Sequence, residues 1–501
     1  MNSHALDLQT TQCNTGESSS IYSPLPPSFS SPSSPSRTRY TPDYFVGREE
    51  ELRAIRRKIE EGQAGYPITR PVIHLWGAPG IGKSWLLQHI YTEFSAKTED
   101  SAKLHTRGIL TALVDFTKLP FKAEDPSSVK ALLQALQDDL QRGEAPAPDD
   151  SEDKGAISVG HFTQDVIEWS RRFIIVLLFD SVEKLPPDDF FWLEREIIAP
   201  LARTDRVLFV IASRKELPRW KEFSVRQRLE VWELQEFDLQ TTQEQLTRYD
   251  LPEEVAREIY PYTFGHPYAN QVWSVAWQEG KPTAEQSLAL LGQVERELLK
   301  DTVLERERDI LRTLSAPRRF NVESARSLLG QVVDAEFGTL SDGYYLRLFG
   351  ALEQTNLVFW SSELRGYTIS LPVRRILDLR IQMSDPEKFR QRHTFLREFY
   401  EGQAGRNQLD RGALLLEALY HLARETADET PDDRENRVQQ FLQTYLTEEQ
   451  LDTDNADTFL RLFRGDQEFW GEAAVLPPKL QNEVLKRANE LLVQVSQMAF
   501  T

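Results

Sequence analysis

One glycine-rich loop constrains this chain more than any other stretch of its sequence. Residues 77–84 are GAPGIGKS and fit the pattern G-x-x-x-x-G-K-[ST]. The apolar run Val72–Trp76 before the loop predicts a strand, and the pattern Ser84–Phe94 after it predicts a helix. Glycines let successive backbone N–H groups point at phosphate oxygens, and the N-terminal end of a helix adds a positive dipole. The loop therefore predicts a nucleoside triphosphate site.

Every residue of the loop is a candidate contact to this nucleotide, ATP or ADP. Lys83 is predicted to reach the β- and γ-phosphates, and the hydroxyl of Ser84 is predicted to ligate Mg²⁺. The candidate binding residues of the loop and the first helical turn are Gly77, Ala78, Pro79, Gly80, Ile81, Gly82, Lys83, Ser84 and Trp85.

An acidic residue follows the most apolar run of the chain. Residues Phe173–Phe179 are FIIVLLF, as expected of a strand buried on both faces, and Asp180 comes next. At the carboxyl end of a parallel strand, a carboxylate lies beside the phosphate loop, so Asp180 is predicted to hold Mg²⁺, usually through water. The alternative is an aspartate that caps the N-terminus of a helix.

Hydrolysis requires further residues, and here the pattern is irregular. Many P-loop ATPases have an acid directly after this aspartate, but the chain has Ser181 there. Glu183 is a candidate base for the attacking water, or else a surface residue. Arg214, next to Ser213 at the end of the run RVLFVIASR, is a candidate sensor of the γ-phosphate, or else a solvated arginine. The serine in place of the second acid predicts slow rather than fast hydrolysis.

Two other arginines are weaker candidates for the site, and the histidines are not candidates for a metal site. Arg203 and Arg206 precede a predicted strand and are weaker candidates, as arginine fingers across a subunit boundary. The histidines show no metal-ligand spacing and are predicted to be core or surface residues. They are His4, His74, His89, His105, His161, His266, His393 and His421.

Strand and helix patterns alternate from residue 41 to about residue 238, which predicts an α/β domain with a doubly wound parallel sheet. The predicted strands are Val72–Trp76, Ile109–Phe116, Phe173–Phe179, Arg206–Ala212 and Leu229–Leu234. The predicted helices between them are Ser84–Phe94, Ser127–Arg142, His161–Arg171 and Phe190–Ala202. Gly143–Gly155 is acidic and rich in proline and alanine, and predicts a surface loop.

The remainder of the chain is predicted to be helical apart from one hairpin. A break is expected at Gly265-His266-Pro267, and two short β-like runs, Leu357–Trp360 and Tyr367–Ser370, follow helical patterns, as is typical of a winged helix. The predicted division is 1–40 Ser/Pro-rich disordered tail, 41–238 P-loop ATPase domain, 239–300 helical lid, 301–382 winged helix, and 383–501 helical C-terminal region with breaks at Gly402–Asn407, Ala427–Asp433, Gly465–Asp466 and Pro477-Pro478.

Charge and composition limit the partners. The chain has 59 Lys+Arg and 78 Asp+Glu, a formal net charge of −19, which disfavours nucleic acid and anionic membrane unless a basic patch is local. The apolar run at Phe173–Phe179 is far short of the roughly twenty residues of a membrane helix. Cys13 is the only cysteine, so no disulfide within the chain is expected, as in a reducing cytoplasm.

These motifs, in this order, resemble the STAND class of signal-transduction ATPases, relatives of AAA+ and origin-recognition ATPases. The resemblance covers about residues 41–382. It rests on YFVGRE at 44–49, GAPGIGKS, FIIVLLFD, IASR ending at Arg214, and Gly265-His266-Pro267. It implies that Val46 and Gly47 border the adenine, that Pro267 packs near it from the lid, and that Arg214 senses the phosphate. Ser181 and Ser370 depart from the family, which often has an acid and a histidine at these places.

The resemblance implies a switch that holds ADP in a closed form, exchanges it for ATP and then oligomerises or releases an effector. A cytoplasmic switch with slow hydrolysis is the leading hypothesis, with the helical C-terminal region as the platform for a protein partner or for self-association. A DNA-associated ATPase is the first alternative. Residues 301–384 hold about eleven basic and eleven acidic side chains, so nucleic acid is disfavoured despite the cluster Arg374, Arg375 and Arg380. A non-hydrolysing scaffold is the second alternative.

Overall fold

Five parallel strands form the central sheet, in the order β2-β3-β4-β1-β5. The strands are β1 (Val72–Trp76), β2 (Ile109–Asp115), β3 (Ile174–Asp180), β4 (Val207–Ser213) and β5 (Leu229–Glu233). Every residue of β3 and β4 is buried, as their unbroken apolar sequences require. The sheet confirms the predicted α/β fold, and its order places β4 between β1, which leads into the glycine-rich loop, and β3, which ends at Asp180.

The structure is a computed structural model that describes residues 40–95, 107–143, 158–214, 217, 220–300, 305–355, 357–362 and 365–498. The predicted tail at 1–40 and the predicted loop at Gly143–Gly155 lie almost wholly outside the described residues. Residues Pro42–Thr501 group into one compact unit.

Helices cover both faces of the sheet. They are α1 (Glu49–Gln63), α2 (Lys83–Ser95), α3 (Pro126–Arg142), α4 (Val159–Trp169), α5 (Pro187–Leu193), α6 (Ala199–Leu201) and α7 (Phe223–Arg226). Side chains of β3 alternate between the two faces of the sheet. Ile174 and Val176 pack in the core that contains α1 and α2, whereas Ile175 and Leu177 pack in the core that contains α3, α4, α5 and α6. This alternation holds the loop-bearing helix α2 against one face of the sheet.

The helix predicted at Phe190–Ala202 is not continuous. A π-helical segment, Glu194–Ile198, separates α5 from α6. Glu194 is fully buried there and accepts hydrogen bonds from the backbone N–H groups of Lys221 (3.0 Å) and Glu222 (2.9 Å). The wider helical turn thus occurs where a buried carboxylate binds the backbone before α7.

Four helices follow the sheet: α8 (Leu239–Thr247), α9 (Glu254–Thr263), α10 (Pro267–Gln278) and α11 (Ala284–Leu298). The predicted break at Gly265-His266-Pro267 is present. Two further breaks, after Thr247 and after Gln278, were not predicted.

Three helices and a hairpin come next: α12 (Glu305–Leu314), α13 (Val322–Val332), α14 (Asp342–Gln354), β6 (Val358–Ser361) and β7 (Gly366–Ile369). The two strands pair in antiparallel fashion, as the sequence predicted. Helix α15 (Leu371–Ser384) follows directly, so the predicted boundary at residue 382 falls inside a helix.

The C-terminal region is helical, as predicted: α16 (Pro386–Arg406), α17 (Arg411–Glu425), α18 (Pro431–Tyr445), α19 (Thr453–Gly465), α20 (Gln467–Trp470) and α21 (Pro478–Met498). The break predicted to begin at Gly402 is wrong, because α16 continues to Arg406. Gly402 and Gly405 are tolerated because nothing lies within 4 Å of where a Cβ would be.

Buried ion pairs join the C-terminal helices to the preceding segment, which contains α12 to α15 and the hairpin. Arg318 binds both carboxylate oxygens of Glu417 at 3.0 Å, and Arg374 binds Glu468 at 2.5 Å. The Glu468 carboxylate is held ionised by these cations, which lower its pKa to about 2 against the effect of burial. In the part of the chain that the structure describes, no helix is both long and apolar enough to cross a membrane.

Candidate nucleotide-binding site

The glycine-rich loop connects β1 to α2 at the carboxyl edge of the sheet. Gly77 has φ 153° and Gly82 has φ 100°, in a region that side chains disfavour. A Cβ on Gly77 would lie 2.8 Å from the carbonyl oxygen of Leu234, whereas one on Gly82 would meet nothing within 4 Å. The loop is therefore packed tightly on its β5 side and open at Gly82.

Lys83 is the buried cation of this loop. Its Nζ donates to the carbonyl oxygens of Gly77 (2.7 Å) and Ala78 (2.8 Å). Burial lowers its pKa to about 8, and the nearby carboxylate of Glu183 opposes that effect. The ammonium group is thus held inside the loop, in the electrostatic range of the acidic residues at the sheet edge.

Asp180 is buried at the end of β3, as predicted. Burial raises its pKa to about 6, although the side chain of Ser84 hydrogen-bonds to it. Its register partner on β2 is Asp115, a second negative charge. The alternative of a helix cap is wrong, because the next helical turn is capped at Ser181 and starts at Val182.

Glu183 is not a surface residue. Its side chain is 3% exposed and lies 3.3 Å from Arg214 Nε, whose side chain is 11% exposed. The other carboxylate oxygen of Glu183 is buried and has no hydrogen-bond partner among the described residues. Because β4 lies between β1 and β3, Arg214 at its end is flanked by the loop and by Asp180. The structure therefore brings together Lys83, Asp180, Glu183 and Arg214, the four candidate catalytic residues.

The two weaker arginine candidates lie elsewhere. Arg203 and Arg206 precede β4 and so lie at the amino edge of the sheet, opposite the loop. Arg206 donates to the carbonyl oxygen of Arg171 at 3.0 Å. Neither residue belongs to the site of its own chain.

A histidine that was predicted to be core or surface lies beneath the site. His74 on β1 is fully buried, and its Nε2 is 2.7 Å from the hydroxyl of Ser213. Burial lowers its pKa to about 3, so the ring is neutral. It fixes the polar residue beside Arg214. No local pattern predicts this pair, because its two residues lie on different strands and are 139 positions apart.

Arg48 bridges the loop and the segment that leads to the helical lid. Its Nη2 donates to the carbonyl oxygens of Ile81 (2.8 Å) and Gln235 (2.7 Å), and its guanidinium lies 4.9 Å from the ring centre of Phe237. The triplet Gly47-Arg48-Glu49 is too short to predict this role from sequence. Arg48 has φ 66°, so the turn that presents it is a left-handed one.

A cavity of about 220 Å³ lies between α1, α2 and α8. Val46 and Gly47, the predicted adenine neighbours, line the cavity. Phe45 and His89 also line it, and their rings stack with the ring centres 4.1 Å apart. Pro267 and Trp85 are not among its lining residues. Pro267 begins α10, and its carbonyl oxygen accepts a hydrogen bond from Gln245 at 3.0 Å.

These residues fit a nucleoside triphosphate with Mg²⁺. Lys83 supplies a cation, Ser84 and Asp180 supply oxygen ligands, and Glu183 has one unpartnered carboxylate oxygen. In the described ranges no group of three or more His, Cys, Asp or Glu side chains could hold a metal alone. Mg²⁺ is usually bound by one or two protein ligands together with phosphates and water, and Ser84 and Asp180 would be two such ligands. The bound ion would neutralise charge on the phosphates.

Comparison with known proteins agrees with this reading of the loop. Residues 44–210 match the AAA ATPase domain family. No curated protein matches the sequence.

Three solved structures are similar to the chain. The Walker-type ATPase PABY2304 of Pyrococcus abyssi has 18% identity and a TM-score of 0.46 over 66% of this chain and 96% of that chain. The ORC2 protein of Aeropyrum pernix has 14% sequence identity and a TM-score of 0.42, over 69% of this chain and 96% of that chain. The ORC1 protein of Aeropyrum pernix, solved with DNA, has 15% sequence identity and a TM-score of 0.36, over 70% of this chain and 95% of that chain. The match to the AAA ATPase domain family covers the stretch that contains β1, the glycine-rich loop, β2, β3 and Asp180.

Proposed function

We propose that this chain is an ATP-binding signalling switch, in which ADP/ATP exchange and slow hydrolysis control the arrangement of the helical lid or the association of the chain with a partner. One observation carries the proposal: the Arg48 guanidinium binds a carbonyl oxygen of the phosphate loop (Ile81) and one of the segment leading to the lid (Gln235). Because a single side chain holds both segments, a nucleotide that moves the loop also changes the support of the lid.

The acidic residues that follow β3 favour slow rather than fast hydrolysis of ATP. Ser181 stands directly after Asp180 and cannot act as a carboxylate base. Glu183 is the remaining candidate, and its ion pair with Arg214 restricts its movement. A water-activating role therefore requires Glu183 to use its second carboxylate oxygen while Arg214 turns toward the γ-phosphate.

The helical lid (239–300), the winged-helix module (301–382) and the C-terminal helices (383–501) form the proposed output part of the switch. A cleft of about 1780 Å³ lies between the nucleotide domain, the β6–β7 hairpin and the helices α16, α17, α19 and α20. Trp360 and Leu409 on its walls are 54% and 92% exposed. Large apolar side chains exposed at the walls of a cleft favour this region as the place for a protein partner or a second copy. A cytoplasmic location belongs to the same proposal.

The DNA-handling alternative is weaker than the switch. The local basic cluster at 374–380 is paired within the chain: Arg374 and Arg375 face Glu468, and Arg380 faces Glu295. Cations neutralised in this way are poor phosphate contacts. A gel shift that weakens steeply with salt and disappears on changing Arg375 or Arg380 would favour DNA binding over the switch.

The switch is tested by measuring mass and shape, using light scattering and small-angle X-ray scattering, with ADP and then with a non-hydrolysable ATP analogue. The expected result is a change in shape or mass between the two states. Arg48→Lys should reduce that change, because the lysine side chain is shorter than that of arginine and lacks the planar guanidinium that lies on the Phe237 ring. Arg53→Lys, on the exposed face of the same helix, is the control.

Identical mass and shape in the two nucleotide states would contradict the switch. The scaffold alternative is tested by turnover of the wild type, Lys83→Ala and Glu183→Gln. Tight nucleotide binding with turnover no greater than that of Lys83→Ala would favour a scaffold.

A further inference from the structure

His266, immediately before α10, touches the phosphate loop. The residue is fully buried. Its Nδ1 accepts a hydrogen bond from the backbone N–H of Ala269 at 3.3 Å, and its Nε2 is 2.8 Å from the carbonyl oxygen of Pro79. A carbonyl oxygen only accepts, so Nε2 must carry the proton and Nδ1 must be bare. The two bonds therefore define one neutral tautomer that links the lid to the loop.

The turn that carries His266 has little freedom to shift. Gly265 has φ 73°, and a Cβ there would lie 1.8 Å from the carbonyl oxygen of Phe237. The backbone N–H of Phe237 donates to the carbonyl oxygen of Gly265 at 2.9 Å, and that of His266 donates to Thr263 at 2.9 Å. His266 is thus anchored on the same segment that Arg48 contacts through Phe237.

The phosphate loop packs closely against His266 at Gly80. A Cβ on Gly80 would lie 2.7 Å from Cε1 of His266 and 3.0 Å from Cβ of Tyr268. The Pro79 carbonyl is therefore bound from the lid by His266, while the Ile81 carbonyl, two residues later, is bound by Arg48. Any reorientation of the Pro79 peptide breaks the contact between loop and lid.

We propose that His266 is a positioning residue through which the lid responds to the phosphate loop: the imidazole donates to the Pro79 carbonyl while the lid is closed, and this bond retains the nucleotide. The inference rests on the proposed switch and names the side chain that transmits its state. Burial lowers the pKa of His266 to about 4, which agrees with a neutral ring at physiological pH.

Two substitutions separate the two bonds of the ring. His266→Asn keeps a side-chain oxygen for the Ala269 N–H, since asparagine is a favoured N-cap, but its shorter side chain cannot reach Pro79. His266→Gln has an amide N–H group one bond further out and is expected to restore donation to Pro79. A merely structural cap predicts the opposite ranking, because Asn caps helices better than Gln.

The first measurement is the release rate of a fluorescent ADP derivative by stopped flow. His266→Asn should release it about fivefold faster, the loss expected for one hydrogen bond, and His266→Gln should fall between Asn and wild type. Hydrogen exchange of nucleotide-free protein should show faster exchange in α10 for Asn than for Gln. Wild-type release and exchange for the Asn variant, or a Gln variant worse than Asn in both, would overturn the proposal.

A double-mutant cycle tests the contact independently of any switch. Gly80→Ala adds the same backbone strain in either background, so that strain cancels, and what remains is the contact of the new Cβ with residue 266. Gly80→Ala should weaken ADP binding by a larger factor in the wild type than in His266→Asn. Equal factors in both backgrounds would refute the contact. If only the ADP-versus-ATP shape comparison fails, the switch is wrong, whereas the cycle and the exchange data still judge His266.

Discussion

The carboxylate of Glu183 and the guanidinium of Arg214 lie 3.3 Å apart, although each follows a different strand of the sheet. Glu183 belongs to the short helical turn after β3, and Arg214 directly follows β4. The adjacency of β3 and β4 therefore places a candidate base and a candidate phosphate sensor in one ion pair. Motion of either residue toward a nucleotide changes the electrostatic surroundings of the other.

Breaking that pair should destabilise the protein more than removing it. Arg214→Gln leaves the buried Glu183 charge without its cation and should lower the free energy of unfolding by about 3 kcal/mol. Adding Glu183→Gln to the same chain should recover most of the loss, because two neutral amides replace the pair. Urea unfolding of the wild type, both single variants and the double variant measures the coupling. Additive losses would show that the two side chains do not interact.

Lys83 should decide nucleotide affinity. Lys83→Ala removes the buried ammonium group and is expected to weaken ATP and ADP binding at least about 100-fold, as for a charge that faces phosphates. Lys130→Ala, on an exposed position of α3, should leave affinity unchanged. Isothermal titration calorimetry on both variants measures the contrast. Near wild-type affinity in Lys83→Ala would place the phosphates elsewhere.

Gly265→Ala and Gly280→Ala form a matched pair. Both glycines have positive φ, 73° and 129°, so both substitutions add backbone strain. Only at Gly265 would the new Cβ meet backbone, 1.8 Å from the Phe237 carbonyl oxygen, whereas at Gly280 nothing lies within 4 Å. We expect Gly265→Ala to lose at least about 2 kcal/mol more of the unfolding free energy than Gly280→Ala. Equal losses in thermal or urea unfolding would argue against the tight turn.

Stability should fall as the pH drops below about 6.5. His74, His266, His393 and His421 are fully buried, and burial lowers the pKa of each. The unfolded chain then binds more protons than the folded one, so the folded state is fully favoured above the unfolded pKa and loses stability as the pH falls toward the folded pKa. At pH 5.5, His74 and His266, whose folded pKa values are about 3 and about 4, each contribute a loss of about 1.4 kcal/mol.

Urea unfolding at pH 7.5, 6.5 and 5.5 measures this loss. In His421→Phe the slope between pH 6.5 and 5.5 should be smaller than in the wild type. The carboxylates with a lowered pKa, such as Glu468, act in a separate window below about pH 4.5. A flat profile between pH 7.5 and 5.5 would contradict the assignment of neutral buried histidines.

The sequence predicted the sheet and the loop well because their signals are local. Five apolar runs matched the five strands to within a residue or two at each end, and the glycine pattern directly precedes a helix. Asp180 could be placed because the end of a buried strand is visible in the sequence itself. These features depend on neighbours along the chain.

Contacts between distant segments could not be predicted. The Pro79–His266 and Arg48–Gln235 bonds each join residues 187 positions apart, and a lone histidine or arginine looks the same in a core, a surface or a site. The strand order is also invisible in one sequence, so Arg214 could be named as a candidate phosphate sensor, but the position of its strand between β1 and β3 could not be predicted. The predicted break in α16 relied on its glycines, but exposed helix positions tolerate glycine, so the helix continues through them.

The apolar core on the α1–α2 face of the sheet is continuous from Leu52 to Val495 through the described residues. The nucleotide domain, helices α8 to α11 and the C-terminal helices all contribute side chains to this core. Cooperative unfolding of this core would let the binding energy of a nucleotide at residue 83 raise the melting temperature of a helix near residue 490. A ligand acting on a few loop atoms would then protect distant helices against heat and proteolysis, even where it touches none of them.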